Sequence, residues 1–258
     1  MRLTEAAGWN QTETDWRHLL RLGPETCFGL ECGGSLAATA TAVCYERRLA
    51  WIGMVLTDPA HRRRGFAHRL MEHTIDTLVA RQVDWIKLDA TEAGAPIYRK
   101  LGFEAECSVE RWGAAAAQGG GVPSLSWPGW QPELDRQAFG ADRAQLLGML
   151  APLGAAAVAD AGYAMARPGS QAAYFGPCVS RRTEAVAGLL AWFLARHAGQ
   201  PFYWDLVPQN TEAVRLARDC GFAPIRRLVR MVRRGAPGAE PLDHDDSQVF
   251  AIAGFEFG

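Results

Sequence analysis

A chain that repeats itself at one constant offset is bound to fold the same way twice, and ignoring such a repeat misleads every later step. Here the offset is 119 residues: Leu70-Met71 stands against Leu189-Leu190, Gly102-Phe103 against Gly221-Phe222, and Arg111 against Arg230. Chance aligns one Gly-Phe pair easily. A shared offset across a helix, a turn and a strand points instead to duplication. At 258 residues the chain has room for two domains. The low-complexity stretch 113–129 (GAAAAQGGGVPSLSWPG) divides them, because Gly, Ala and Pro at that density supply no packed face. The expected organisation is a first domain over 1–112, a linker over 113–129 and a second domain over 130–258. In the first, strand-like runs from Ala37 to Tyr45, Leu49 to Leu56 and Trp85 to Asp89 alternate with helical ones, an α/β pattern.

Charge narrows the partners. Lys plus Arg (27) almost cancels Asp plus Glu (28), so no global field draws the chain to nucleic acid or to a membrane surface. The six cysteines form no Cys-x-x-Cys pair, which argues against a zinc site or a disulfide scaffold and suggests reduced thiols. Without a basic-then-apolar leader or a long apolar run, a cytoplasmic protein is expected.

The most informative segment runs from Trp51 to Arg81 as strand, loop and helix. Asp58-Pro59 ends the strand. Ala67, Leu70, Met71, Thr74, Ile75 and Leu78 then recur at helical spacing. Gly65 at the helix entrance lets a ligand approach the main chain, and Ala67 is also small. Backbone N–H groups from about Arg62 to Ala67 lack intrahelical acceptors, so with the helix dipole and three arginines they suit a pyrophosphate. A basic triplet alone reads as a solvated turn; the full context favours the ligand. Neither a Gly-Lys-Ser/Thr loop nor a Gly-x-Gly-x-x-Gly fingerprint is present, which disfavours nucleotide and dinucleotide folds.

Arg62-Arg63-Arg64-Gly65-Phe66-Ala67 resembles the Gln/Arg-x-x-Gly-x-Gly/Ala signature of the GNAT superfamily of N-acetyltransferases. The resemblance implies two tandem domains, each a mixed, mostly antiparallel sheet flanked by helices, with acetyl-CoA as cosubstrate and no metal. It implies that amides of Arg62, Arg63, Arg64, Gly65, Phe66 and Ala67 hold the pyrophosphate, while the backbone of Leu56 and Thr57 pairs with the pantetheine arm as an added strand would. Leu88 to Phe103 looks like the family's strand, short helix and Tyr-x-Lys-Leu-Gly-Phe turn. Thr91 stands where Asn is frequent, and remains a candidate coenzyme contact. Tyr98 is the candidate acid for the departing sulfur, its alternative being an ordinary half-buried helix tyrosine.

At the same offset, Gly65 meets Glu184, Ala67 meets Val186 and Tyr98 meets Ala217, so coenzyme binding is expected only in the first half. Asn210, opposite Thr91, doubles as a helix cap. Gly162-Tyr163, Tyr174 to Pro177 and Asn210 through Met231 resemble tandem GNAT proteins of the YitH type. The expected activity is acetyl transfer to an amine of a small molecule or amino-acid-like acceptor, by a monomer or homodimer; a non-catalytic acyl-CoA sensor is the alternative. A cleft between the domains would take the acceptor, with Trp9, Asn10, Trp51 and Asp205 as candidate lining and Asp89 as a catalytic carboxylate or a helix cap. Val249 to Phe255 reads as a strand at an edge. The arginines at 226, 227, 230, 233 and 234 read as a solvated face or a linker contact rather than a nucleic-acid surface.

Overall fold

The computed structural model describes residues 1–116 and 125–258, so the expected linker lies partly outside the described residues. The described chain forms two compact units, each drawn from both halves of the sequence. One comprises Met1–Glu106, Arg230–Leu242 and Phe255–Gly258; the other comprises Cys107–Val229 and Asp243–Gly254.

The first unit opens with helices α1 (Arg2–Ala6) and α2 (Glu13–Leu22). A reciprocal capping box starts α2: Thr12 Oγ1 accepts from the Asp15 amide, and the Asp15 carboxylate accepts from the Thr12 amide at 2.6 Å. Strands β1 (Cys27–Cys32), β2 (Ser35–Tyr45) and β3 (Leu49–Thr57) follow, then α3 (Phe66–Ala80), β4 (Trp85–Ala90) and the short α4 (Ala95–Lys100). β5 (Glu104–Ala114) begins in this unit and ends in the other. The pairings β1 to β2 and β2 to β3 are antiparallel, and β3 to β4 is parallel. α3 buries Leu70, Met71, Thr74, Ile75 and Leu78, the stripe its spacing predicts.

The second unit continues from β5 with α5 (Pro132–Phe139), α6 (Ala144–Leu150), β6 (Ala155–Ala159), β7 (Gly162–Arg167) and β8 (Ala173–Ser180). Then come α7 (Thr183–Arg196), β9 (Phe202–Leu206), α8 (Thr211–Asp219), β10 (Ala223–Arg234) and β11 (Val249–Ala251). β6 to β7, β7 to β8 and β5 to β9 pair antiparallel, while β8 to β9 is parallel. The last residues of β10, Arg230 onward, belong to the first unit, where β10 follows β4 in the sheet. An aromatic core built on Phe175, Phe193, Phe202, Trp204 and Phe222 holds the second unit. Trp204 meets Phe175 and Phe222 edge to face, with centroids 5.2 and 5.5 Å apart.

The repeat is visible bond for bond. Phe103 N–H donates to Tyr98 O at 3.1 Å and Gly102 N–H to Arg99 O at 3.1 Å; Phe222 to Ala217 and Gly221 to Arg218 match them at 2.9 and 3.0 Å. Gly102 and Gly221 sit at φ +83° and +81°, the left-handed turn that ends each helix. The arginine anchors behave alike. Arg111 grips Asp205 through both carboxylate oxygens at 2.7 Å, and Arg230 grips Asp89 at 3.0 and 3.2 Å. Arg230 is therefore buried, contrary to the solvated face read for its cluster; a carboxylate on β4 offered it a partner that charge runs alone do not reveal.

Candidate functional site

The loop between β3 and α3 leaves a run of amides without main-chain acceptors among the described residues. Asp58 caps a single 3-10 turn at Pro59–His61, accepting from the Ala60 amide at 2.9 Å, and also pairs with Arg2. That guanidinium holds the Asp58 carboxyl below the usual carboxylate range. The chain then turns through Arg63 (φ +61°) and Gly65 (φ +77°), and Gly65 is the N-cap of α3. The N–H groups of residues 63 to 68 have no main-chain acceptor among the described residues. A Cβ built on Gly65 would meet nothing within 4 Å, so the space over this turn is open and glycine is needed for its backbone angle. Arg62, Arg63 and Arg64 are exposed around it. Arg64 donates to His61 Nδ1 at 2.8 Å and lies 4.9 Å over the Phe66 ring, which orients one cation at the helix mouth. Ala67 is half-buried in the first turn. These residues fit a diphosphate through amides, dipole and cations together.

Beside the loop, the sheet opens. The parallel ladder between β3 and β4 runs from Leu49↔Trp85 to Ile52↔Leu88 and stops, yet β3 continues to Thr57. The cause is a bulge. Met54 has φ +49°, and the β2 to β3 register shifts between Thr39 and Thr41. Thr39 and Thr41 hydroxyls stabilise the bend, donating to the Met54 and Gly53 carbonyls at 2.8 and 3.1 Å. Among the described residues no strand pairs with 53 to 57 on the β4 side, so Leu56 and Thr57 present an open main-chain edge leading from the helix mouth into the sheet.

Tyr98 lies on α4, its ring edge-on to Phe103 at 6.3 Å. Its hydroxyl has no hydrogen-bond partner among the described residues, and burial pushes its pKa up to about 12, so the phenol keeps its proton at neutral pH. Thr91 Oγ1 accepts from the Gly94 amide at 3.1 Å and shapes the turn into α4. Trp9 is half-buried and Asn10 buried in the connection from α1 to α2.

Three sequence candidates are committed elsewhere. Asp89 has a fully buried carboxylate taken by Arg230. Trp51 is buried: its indole N–H donates to Phe255 O at 3.1 Å, and the Arg230 guanidinium lies 4.5 Å over its ring. Asp205 belongs to the second unit, fully buried against Arg111. Sequence reasoning missed Gln11 and Glu256, both buried, with Gln11 Nε2 donating to Glu256 Oε2 at 2.9 Å. No local pattern links residues so far apart in the chain.

In the second unit the equivalent connection is nearly gone. β8 ends at Ser180 and α7 begins at Thr183, leaving two residues where the first unit has eight. Glu184 stands opposite Gly65 in helical register, but it is already inside α7, whose N-cap is Arg182. The second unit thus differs by more than the substitutions the sequence shows. The opening between β8 and β9 is filled as well. Their ladder covers only Ala173↔Phe202 to Phe175↔Trp204; beyond it β11 pairs with Cys178 and Val179 of β8. Ile252 N–H donates to Asp205 O at 3.0 Å, and Trp204 Nε1 to Phe250 O at 2.7 Å, which ties the same segment to β9. Asn210 caps α8 and donates to Ser247 O and Val249 O, both at 3.0 Å. The strand expected over 249–255 is therefore three residues long and fills an opening, because β7 occupies the other side of β8.

Among the described residues no group of His, Cys, Asp and Glu could hold a metal, and no helix is long and apolar enough to cross a membrane. All six cysteines are free thiols. Family profiles for an acetyltransferase (GNAT) domain match twice, over residues 3–105 and 132–251. A protein of Pyrococcus horikoshii described as a candidate acetyltransferase superposes with a TM-score of 0.82 at 20% identity, covering 95% of this chain and 84% of its own. A tandem GNAT protein from the clavulanic acid biosynthesis pathway gives 0.60 at 16% identity, covering 92% and 93%. A GCN5-related N-acetyltransferase from Sphaerobacter thermophilus gives 0.56 at 16% identity, covering 81% and 80%. No curated protein matches the sequence.

Proposed function

On the premise that this chain carries two GNAT domains in tandem, we propose that it transfers an acetyl group from acetyl-CoA to the amine of a small molecule or amino-acid-like acceptor, using the first unit alone. The observation that carries the reading is that the amides of residues 63 to 68 have no main-chain acceptor among the described residues, beside the uncovered edge of β3. The diphosphate of the coenzyme would take those amides, with Arg62, Arg63 and Arg64 adding charge. Its pantetheine amides would pair with Leu56 and Thr57, setting the thioester near the apex of the opening at Gly53 and Met54.

Tyr98 acts on the sulfur. A phenol that keeps its proton at neutral pH can hand it to a departing thiolate, and the absence of an internal partner leaves the hydroxyl available. Asp89 has a positioning role in this reading: it holds Arg230 over Trp51. Trp9 and Asn10 border the acceptor side from the α1 to α2 connection. We place the protein in the cytoplasm, as a monomer or homodimer and a tandem GNAT protein of the YitH type, without nucleic-acid or membrane partners.

Acetyl-CoA binding only to the native state must raise the melting temperature, by an amount equivalent to about 2.7 kcal/mol at a hundredfold excess over Kd. A melting curve unmoved by millimolar acetyl-CoA contradicts the proposal. Coenzyme binding without thiol release across a broad amine screen marks the chain as a sensor instead.

A further inference from the structure

Glu256 is 2% exposed, and its Cα would lie 2.7 Å from a Cβ built on Gly53. Gly53 directly follows Ile52, the last residue of β3 paired with β4, so the backbone of Glu256 stands beside the apex of the opening. The face is also defined. Ala40 packs toward Leu70 of α3, Ala42 lies two residues on and pairs with Ile52, so Gly53 and Glu256 are on the side of the sheet away from α3. A carboxylate accepts only, so the Gln11 amide must turn its nitrogen to Glu256, at 2.9 Å. That leaves Gln11 Oε1, on a side chain 7% exposed, buried with no hydrogen-bond partner. Such an acceptor is costly unless something donates to it.

We propose that Gln11 and Glu256 form the seat of the acceptor's ammonium group, Gln11 Oε1 and the carboxylate both accepting from it, with Glu256 as the catalytic base. The assignment rests on the acetyl-transfer reading and specifies its substrate as a cationic primary amine. The ammonium gives one proton to Glu256. The nitrogen lone pair then bonds to the thioester carbonyl carbon, the carbon–sulfur bond breaks, and the sulfur leaves with the Tyr98 proton. The second nitrogen proton returns to the Tyr98 oxygen, and Glu256 releases its own to water, so amide, thiol and one proton are the products.

The test uses the full chain with acetyl-CoA and a panel of free amino acids and alkyl diamines, following thiol release. Glu256→Gln keeps the side-chain shape and should lower kcat/KM about a hundredfold, the scale of a lost general base. Glu256→Asp, which keeps the carboxylate at the expense of shape, should retain more activity than Glu256→Gln. Gln11→Leu should raise KM for the amine more than it lowers kcat. Each variant should melt cooperatively and keep the parent's Kd for acetyl-CoA. If Glu256→Gln acetylates as fast as the parent, or outperforms Glu256→Asp, the seat is wrong while the acetyltransferase reading stands. A parent that binds acetyl-CoA but acetylates nothing in the panel overturns both.

Discussion

The first unit has an open sheet where β3 leaves β4; the second has the same divergence between β8 and β9, closed by β11. The first keeps eight residues between strand and helix, with a glycine at the helix mouth; the second keeps two and places Glu184 in the first turn. Packing is conserved down to the individual bonds that end α4 and α8. Two of the differences lie together, at the connection from strand to helix and at the opening beside it. If the first unit binds the coenzyme as proposed, the pair teaches that a duplicated fold can lose a ligand site while keeping its architecture, provided another group satisfies the main chain that the ligand would have paired.

Four substitutions press on this contrast. The largest effect is expected from Gly65→Glu, which copies the second unit's charge into the first. A carboxylate beside a diphosphate, on a residue forced to φ +77°, should weaken acetyl-CoA binding by at least about a thousandfold, read by titration calorimetry. Near-parent affinity would mean that the helix mouth is not the grip. Next, Tyr98→Phe should lower kcat about a hundredfold with little change in coenzyme Kd. The sign of its pH dependence follows from the raised pKa: the phenol stays protonated until the pH climbs toward about 12, so the variant's deficit should be level between roughly pH 6 and 10. A deficit that vanished anywhere in that range would remove Tyr98 from the chemistry. The smallest effect is shared: Gly102→Ala and Gly221→Ala should each destabilise by about 1 kcal/mol in urea melts, because both residues occupy the same left-handed turn. Sharply unequal losses would argue that the two turns are not equivalent.

Much of this was legible in the sequence. Gly-Phe pairs mark the turns because only glycine takes that angle cheaply, and the stripe on α3 follows helical spacing. The loop signature located the exposed amides. The remainder was hidden for specific reasons. The anchors of the constant offset all lie from Leu70 onward, so it concealed the shortened connection before α7, where no apolar pattern marks a deletion. Trp51 looked available because tryptophan serves surfaces and cores alike; the segment at 255–258 that covers it is visible only in three dimensions. Asp89 read as a catalytic carboxylate or a helix cap and Asp205 as acceptor lining until each met an arginine from a distant strand. Gln11 and Glu256 needed the folded chain to meet at all.

β11 has a thermodynamic consequence for the second unit. A strand tethered to the sheet it completes is present at an effective concentration fixed by its linker, and no change in the cell's metabolite supply dilutes it. The second unit therefore carries its own occupant at all times. On the proposed function, the first would gain its extra strand only when acetyl-CoA arrives, so its stability should rise and fall with the acyl-coenzyme pool while its twin's stays constant.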